Sequence, residues 1–310
     1  EASAVLFDGK NTLIANDKDM PANDAAVFFT AYSEAGKFVS PAYLTQNPLK
    51  ISQKYEDFAL SPDGKHAFLT TAFDRIKEGS NEWDSYNALL YWPVTSSPSD
   101  IQPKILHTER GEKFSVGLRK AMSQHLKTAD FPNGMPYFKI EGLAATPNKL
   151  YFGIREEGKQ YDSFTYKCKI VTCSYRFEQD SLALGGDLTT LADINLAQLR
   201  PDLPPRMGIS CIEYDAQRKI FWVLTSLESD TQQNCAYLWW ATEADLQKGT
   251  LHLVNDRSTG QPLKFTHKAE DLTPIGGNRL LVIHDDDRNR TKIGDQTRQP
   301  HQAAYSIVKF

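Results

Sequence analysis

Three glutamates stand in nearly the same short sequence at distant points of the chain: Glu56, Glu141 and Glu270. Each is followed by a small or acidic residue, a large apolar residue and a small residue, and then by a turn and a second apolar run. A carboxylate can bind a cation, accept hydrogen bonds from a polar ligand, or act as a general acid or base. Because each of these three repeats carries a carboxylate at the equivalent position, the sequence predicts that several carboxylates lie close together in the fold.

The turn after each motif indicates which residues lie beside each glutamate. The turn signals are Asp63-Gly64, Pro147-Asn148 and Gly276-Gly277-Asn278. In a hairpin the second strand returns to the level at which the first begins, so each glutamate should lie beside the end of its second apolar run. The neighbours predicted in this way are residues 71–74, residues 155–156 and residues 284–287.

Two further copies of the hairpin complete a set of five. One spans residues 210–224 and has Ser210 in place of the acid, and the other has its turn at residues 8–10 and aligns Glu1 with Glu56. Repeats at wide spacing with β-prone runs between them are typical of blades. The sequence therefore predicts an all-β fold, a β-propeller with five blades, in which the innermost strands bring the glutamates to one mouth of a central channel.

One segment, residues 109–136, interrupts the repeat with a helical pattern. Phe114, Leu118, Met122 and Leu126 recur every four residues, which indicates one apolar helix face. We interpret the segment as an insertion into a single domain that spans residues 1–310. A surface insertion and a lid over the channel are both open, and a propeller with six blades is the alternative if the segment contains a further blade.

The composition excludes some classes of function. The 310 residues have a net charge of -4 with both signs interspersed, whereas binding to nucleic acid needs a basic face. No apolar run approaches the roughly 18 residues of a membrane span. We expect a monomer whose partner is a small polar ligand or a protein.

The cysteines and the first residue bear on the cellular compartment. The chain begins at Glu1 without an initiator Met, which fits a trimmed chain or a mature form after removal of a signal peptide. Four cysteines fit an oxidising compartment, so we predict a periplasmic or extracellular location. Cys168 and Cys173 could close a hairpin disulfide, with two free thiols as the alternative, and pairing of Cys211 with Cys235 is left open.

The predicted mouth offers two kinds of binding site. The ligand-binding candidates are Glu56, Glu141, Arg155, Glu270 and His284. Three carboxylates at one mouth repel unless a cation compensates them, so Ca²⁺ or another divalent cation is a second possibility. Its candidate ligands are Glu141, Glu270, Asp285 and Asp287. The spacing Asp285-x-Asp287-x-Asn289 matches the start of a calcium loop, but Arg290 occupies the position of the turn glycine. A third interpretation makes the glutamates structural clamps between blades.

Two segments carry a resemblance to a known family. Residues 140–144, followed by residues 153–155, resemble the Glu-Gly-Leu-Ala and Gly-x-Arg motifs of a bacterial family of predicted exported propellers of unknown function. Residues 267–272 are similar to the closing Lys-x-Glu-Gly segment of that family, which is related to esterase-like and phytase-like propellers. This chain departs from the pattern at Asp57 and Asp271, where glycine is usual. The resemblance implies the fold and transfers no established activity.

Three function hypotheses follow. The first is an exported propeller that binds a small polar ligand or a divalent cation at the channel mouth. The second is a metal-dependent hydrolase of phosphoesters or lactones, in which Glu141 or Glu270 is a metal ligand or base and His284 a second base. The third is a platform for protein interactions. Motifs for a nucleophilic serine, a phosphate loop or a dinucleotide site are absent.

Overall fold

The molecule is a five-bladed β-propeller. The computed structural model describes residues 2–18, 20–21, 24–30, 40–95, 97–227, 234–285, 292–293, 295–297 and 301–310. Most of its strands form five antiparallel sheets, and the first strand of each sheet packs against the first strands of the two neighbouring sheets. This arrangement confirms the predicted fold and the count of five blades.

Each of the first three blades is a meander of four strands. Blade 1 contains β1 (Ala2–Phe7), β2 (Thr12–Asn16), β3 (Val27–Thr30) and β4 (Ala42–Tyr43). Blade 2 contains β5 (Tyr55–Leu60), β6 (His66–Thr71), β7 (Leu89–Pro93) and β8 (Lys104–Ile105). Blade 3 contains β9 (Tyr137–Ala145), β10 (Lys149–Gln160), β11 (Ser163–Glu178) and β12 (Ser181–Asp193).

The last two blades are less regular. Blade 4 contains β13 (Gly208–Asp215), β14 (Ile220–Leu227) and β15 (Cys235–Ala241), and both β16 (His252–Leu253) and β17 (Lys264–Phe265) pair with β15. A separate hairpin is formed by β20 (Lys292–Ile293) and β21 (Gln296–Thr297). Blade 5 contains β18 (Ala269–Pro274), β19 (Arg279–His284) and β22 (Ala304–Lys309). Because β22 pairs with β19, the described strands of blade 5 all come from the C-terminal part of the chain.

The hydrophobic core is divided into five parts, one between each pair of neighbouring blades. Strands β6, β14 and β19 are buried over nearly their whole length because both faces of a blade are covered by neighbours. This explains why their sequences read as continuous apolar runs rather than as alternating patterns. The part between blades 5 and 1 includes Val5 and Leu281, so apolar packing also closes the ring.

Among the described residues four short helices lie between strands, and one of these belongs to the predicted insertion. They are α1 (Asn47–Ile51), α2 (Val116–His125), α3 (Leu196–Leu199) and α4 (Glu243–Gln247), with 3-10 turns at Asp84–Tyr86 and Pro98–Asp100. In α2 the predicted apolar face is buried, since Leu118 and Met122 pack into the core between blades 2 and 3. The helix also contacts the outer strand β12. This contact agrees with an insertion that packs on the blades rather than with a lid over the channel. Within the described residues no helix is long and apolar enough to cross a membrane.

The structure corrects the predicted disulfide between Cys168 and Cys173. Both residues lie on β11, one continuous strand where a hairpin was expected. Five residues along a strand span about 17 Å, far beyond disulfide reach, and an odd spacing directs the two side chains to opposite faces. The thiols accordingly belong to different parts of the core. Cys211 and Cys235 are also unpaired, so all four cysteines are free and buried.

Candidate functional site

Each of the five inner strands carries a β-bulge near its first residue. At the bulge one residue has no partner on the adjacent strand, and these residues are Ser3, Glu56, Glu141, Ser210 and Glu270. A bulge redirects a side chain and often lies beside a functional site. We call these five residues the mouth ring. The predicted equivalence of the three glutamates with Ser210 is confirmed, whereas the first repeat contributes Ser3 in place of the predicted Glu1.

The hairpin registers place the mouth ring at one end of the channel. The residues that precede two of the glutamates pair with the last residues of the second strands, Tyr55 with Thr71 and Ala269 with His284. In blade 3 Ile140 pairs with Ile154, which lies inside the longer β10 and directly precedes the predicted residues 155–156. The glutamates are 2% to 8% exposed. They are therefore recessed in the channel mouth and still in contact with solvent.

The two serines of the mouth ring connect neighbouring blades. The hydroxyl of Ser3 donates a hydrogen bond of 2.5 Å to the carbonyl oxygen of Tyr55, which joins blade 1 to blade 2. The hydroxyl of Ser210 donates one of 3.0 Å to the carbonyl oxygen of Ala269, which joins blade 4 to blade 5. At these two positions the structure supports the interpretation of the repeated residue as a clamp.

A lysine stands two residues before each glutamate of the mouth ring. Lys54, Lys139 and Lys268 form a Lys-x-Glu pattern with Glu56, Glu141 and Glu270. Residues two apart on a strand share one face, so the pattern predicts lysines beside the carboxylates. The sequence interpretation missed this signal, although the three copies are visible in the chain.

The ammonium group of Lys139 lies between two glutamates of different blades. Its Nζ is 3.3 Å from Oε1 of Glu56 in blade 2, and it also donates a hydrogen bond to Oε1 of Glu141 in its own blade. In the same way Nζ of Lys268 lies 2.8 Å from Oε1 of Glu270. The positive charge that the three carboxylates require is thus supplied in part by lysines of the chain itself.

Arg155 holds Glu141 from the adjacent strand and reaches into blade 4. Its Nε lies 3.2 Å from Oε2 of Glu141. Its Nη1 donates hydrogen bonds to the hydroxyl of Ser226, at 2.9 Å, and to the carbonyl oxygen of Ile209, at 3.2 Å. Because Arg155 is completely buried, it orients Glu141 and joins blades 3 and 4.

The surroundings shift the pKa values of the three glutamates in different directions. Burial alone would raise the pKa of Glu141, but the positive charges of Arg155 and Lys139 outweigh it and hold this pKa below the usual value. Burial raises the pKa of Glu270 to about 8, although Lys268 opposes the shift. Burial also raises the pKa of Glu56 well above its usual value. At neutral pH Glu141 therefore stays ionised, whereas Glu270 holds its proton more strongly than an ordinary glutamate.

The last blade adds the predicted His284 and Asp285. His284 is 1% exposed, and its Nε2 lies 2.8 Å from the hydroxyl oxygen of Ser306. Asp285 is close enough for its charge to contribute to the raised pKa of Glu270. The third candidate of this segment, Asp287, lies outside the described residues. Contacts and charge interactions thus connect Glu56, Glu141, Arg155, Glu270 and Asp285. The side chain of His284 instead faces Ser306 of the outer strand and the ring of Phe265.

Aromatic side chains surround the mouth on the side of blades 2 and 3. Tyr161, between β10 and β11, is 67% exposed, and its ring centre lies 6.0 Å from both Nζ of Lys54 and Cζ of Arg75. The guanidinium of Arg75 also contacts the rings of Trp83 and Tyr86. The sequence interpretation did not select these residues, because they come from connections of irregular length rather than from the repeat.

Asp74 joins the aromatic side of the mouth to the lysines. Its Oδ2 lies 2.5 Å from Nζ of Lys54 and 2.8 Å from Nη2 of Arg75. Burial would raise the pKa of Asp74, but the hydrogen bonds and charges of Arg75 and Lys54 outweigh it and hold this pKa below the usual value. An ionised Asp74 therefore fixes both cations beneath the ring of Tyr161.

Two aspartates meet one layer deeper in the channel. Asp57 and Asp271 follow Glu56 and Glu270, and both are at most 1% exposed. Oδ2 of Asp57 accepts a hydrogen bond of 2.6 Å from the backbone N–H of Leu143, and Oδ2 of Asp271 accepts one of 2.7 Å from that of Val5. Each aspartate thus connects its own inner strand to that of another blade.

Three side chains that could bind a metal ion lie close together in this deeper layer. In the part of the chain that the structure describes, one group of three or more ligand side chains lies within mutual coordination range, and it consists of Asp57, Cys211 and Asp271. Mouth candidates Glu141, Glu270 and Asp285 do not form such a group. Binding of Ca²⁺ or another divalent cation at the mouth stays a prediction.

The glycines of the Glu-Gly-Leu-Ala and Gly-x-Arg motifs have a packing role. Gly142 and Gly153 pair across β9 and β10. A Cβ atom on Gly142 would lie 2.9 Å from Cγ2 of Ile212, and one on Gly153 would lie 3.1 Å from Cδ1 of Ile209. The missing side chains allow blade 4 to pack closely on blade 3, which fixes the strands that carry Glu141 and Arg155.

Comparison with solved structures supports the fold. An alpha-L-arabinofuranosidase from Clostridium thermocellum has a TM-score of 0.50 and 8% identity, and the match covers 99% of this chain and 88% of that one. An alpha-L-arabinofuranosidase from Podospora anserina, solved with cellotriose, has a TM-score of 0.44 and 11% identity, with 99% and 89% covered. At 8% identity the likeness to the Clostridium thermocellum structure shows the fold alone. No family model matches the chain, and no curated protein matches it.

Proposed function

We propose that the propeller binds a small, neutral, polyhydroxylated ligand of the carbohydrate class at the channel mouth. The observation that carries the proposal is the position of Tyr161, an exposed aromatic ring beside Lys54 and Arg75 at the edge of a recessed set of ion-paired side chains. Aromatic rings supply an apolar face for a ligand, and a few convergent polar groups orient it. A sugar ring offers both an apolar face and hydroxyl groups.

The charge balance of the mouth favours a neutral ligand. The cationic side chains are Lys54, Arg75, Lys139, Arg155 and Lys268, and the acidic ones are Glu56, Asp74, Glu141, Glu156, Glu270 and Asp285. With every group charged, five cations stand against six acids, so the two sets nearly cancel. Hydroxyl groups both donate and accept hydrogen bonds. They can therefore be inserted among lysine donors and carboxylate acceptors without leaving a buried charge unpaired.

Hydrolysis of a glycosidic bond is a second candidate, favoured by the unequal protonation of two carboxyl groups. Glu141, ionised at neutral pH, would activate a water molecule as the general base, and Glu270, protonated, would give its proton to the leaving oxygen. The Clostridium thermocellum propeller shows that a fold of this type can carry such an activity, although fold alone does not transfer function. Hydrolysis of a phosphoester or lactone with a metal at the mouth stays a further proposal.

The binding proposal is tested with a panel of neutral monosaccharides and disaccharides, with uronic acids and amino sugars as charged comparisons. We expect at least one neutral sugar to raise the melting temperature and to bind in calorimetry. Tyr161→Ala should abolish this binding, whereas Tyr161→Phe should retain it because the ring remains. Binding that is unchanged in Tyr161→Ala, or a response to charged sugars alone, would contradict the proposal.

The proposed glycoside hydrolysis is tested separately, by measuring cleavage. Chromogenic glycosides of the sugars that bind should be cleaved, and Glu141→Gln and Glu270→Gln should each reduce the rate at least a hundredfold because each removes a proton-transfer group. Binding without cleavage would leave the ligand site and reject the hydrolase. An unchanged rate in both variants would show that other residues carry the reaction.

A further inference from the structure

A separate cluster of three side chains lies on the axis of the propeller, below the mouth ring. Asp57 of blade 2, Cys211 of blade 4 and Asp271 of blade 5 place one ligand atom each within 4.8 Å of the others. Asp57 and Cys211 have no exposed surface, and Asp271 is 1% exposed. We call this group the axial cluster. Its residues immediately follow Glu56, Ser210 and Glu270 in the chain, so it is a second layer of the same repeat.

The axial cluster has an excess of acidic groups. Two carboxyl groups and one thiol lie within 4.8 Å of one another, and all three side chains are buried. Glu213, two residues after Cys211, is a further buried acid. The mouth is different, because lysines there pair with the carboxylates. Buried carboxyl groups at such short range need either retained protons or a metal ion.

The two carboxyl groups of the cluster share one buried contact. Oδ2 of Asp57 accepts hydrogen bonds from the backbone N–H groups of Leu143, at 2.6 Å, and Ile212, at 3.5 Å. Oδ1 of the same carboxyl group is completely buried and accepts no hydrogen bond from a backbone N–H group or a side-chain N–H group of the described residues. The carboxyl group of Asp271 is its neighbour, so this contact needs either a retained proton or a bound cation.

We propose that the axial cluster binds one divalent metal ion of the zinc type, through Asp57, Cys211 and Asp271. A thiolate with two carboxylates is a ligand set for zinc and related transition metals, whereas Ca²⁺ and Mg²⁺ select oxygen ligands alone. The metal would take the place of the protons on all three groups and would provide the partner of Oδ1 of Asp57.

The backbone already holds both carboxylates in place for such an ion. The N–H groups of Leu143 and Ile212 fix Asp57, and those of Val5, at 2.7 Å, and Leu272, at 2.5 Å, fix Asp271. Hydrogen bonds of this kind orient metal ligands and contribute to affinity. A bound ion would join blades 2, 4 and 5 directly at the axis, so its role would be structural and separate from the ligand site at the mouth.

The first test is the metal content of the whole chain, purified without metal-affinity resin or chelator. Elemental analysis by inductively coupled plasma mass spectrometry should find about one zinc-type ion per chain. Exhaustive chelation should lower the melting temperature, and added Zn²⁺ should restore it. A chain that contains no metal and whose melting temperature does not respond to Zn²⁺ would overturn the proposal and leave protons as the compensating charge.

The second test uses Co²⁺, whose bond to a thiolate gives a charge-transfer absorption band. The band should appear in the chelated protein after addition of Co²⁺ and be absent in Cys211→Ser. It should be retained in Cys235→Ser, a matched control because Cys235 is a buried thiol of the same blade outside the cluster. A band that persists in Cys211→Ser, or a metal that is lost in Glu270→Gln but kept in Asp57→Asn, would place the ion elsewhere and reject the proposal.

Discussion

The Nε atom of Arg155 lies 3.2 Å from Oε2 of Glu141, and both side chains are almost completely withdrawn from solvent. The two residues face each other on adjacent strands of blade 3, and the arginine continues to Ser226 in blade 4. An ion pair in this position keeps Glu141 ionised at the channel mouth and fixes the direction of its carboxylate. The chemistry of the mouth therefore depends on contacts between blades, and several measurements follow from this.

The pairing of Lys139 with two glutamates predicts a large loss of stability on its removal. Lys139→Met leaves Glu56 and Glu141 close together and buried without their shared cation, which should cost about 3 to 5 kcal/mol. The matched control is Lys149→Met, since Lys149 pairs with Glu243 at 2.7 Å but both side chains are more than one third exposed. Its loss should stay below about 1 kcal/mol. Urea denaturation measures both, and equal losses would contradict a special role of Lys139.

The raised pKa of Glu270 predicts a dependence of stability on pH. Between its ordinary value of 4.5 and the folded value of about 8, the unfolded chain releases this proton while the folded chain keeps it. The contribution of Glu270 to the free energy of unfolding is therefore fully present below pH 4.5, and it is lost as the pH rises to 8. Compared with Glu270→Gln, the wild type should become progressively less stable across this range, by a few kcal/mol in total. Urea midpoints at several pH values would show a constant difference if Glu270 titrated in its usual range.

The close approach of Gly142 and Gly153 predicts that alanine is poorly tolerated there. In Gly153→Ala the new Cβ would lie 3.0 Å from Cα of Gly142 and 3.1 Å from Cδ1 of Ile209, so the blades must move apart. We expect a loss of about 1 to 3 kcal/mol. Gly185→Ala in β12 is the control, because its new Cβ would meet only the side chains of Ser174 and Arg176. Similar thermal midpoints for the two variants would refute this packing role.

The four buried cysteines predict that the protein contains no disulfide. Alkylation in denaturant without a reductant should add four labels per chain, whereas the native protein should react slowly. Burial raises the pKa of Cys168 and Cys173 to about 12, so little of the reactive thiolate is present at neutral pH. A label count of two or fewer would show that a disulfide is present after all.

Three predictions from the sequence remain to be tested: a location outside the cytoplasm, a monomeric state and a protein partner. Cell fractionation, size-exclusion chromatography and pull-down experiments would test them in that order.

The fold could be predicted from the sequence because the repeat is local. Each inner hairpin combines a turn signal with two apolar runs, and Asp63-Gly64 alone fixes the register that places Glu56 beside Thr71. The error at Cys168 and Cys173 has a local cause as well. The β-prone residues 165–177 form one strand of unusual length, whereas the spacing of the two cysteines suggested a hairpin.

The candidate site could be predicted only in part, since much of it depends on contacts between blades. The mouth glutamates followed from the repeat, and the Lys-x-Glu pattern could have added Lys139. The meeting of Asp57 and Asp271 on the axis could not be read from the chain, because it requires the closed ring that brings blades 2 and 5 together. Tyr161 lies at the tip of a hairpin that is longer than in the other blades, and no repeat marks it.

The five equivalent bulges have two roles in this protein. At each bulge the backbone, and not the residue type, sets the direction of the side chain, since serine and glutamate occupy the same position in different blades. Ser3 and Ser210 use this position to hold neighbouring blades together, whereas the three glutamates use it to bring carboxyl groups to the mouth. One backbone feature, repeated in five blades, therefore serves both the closure of the ring and the chemistry at its mouth.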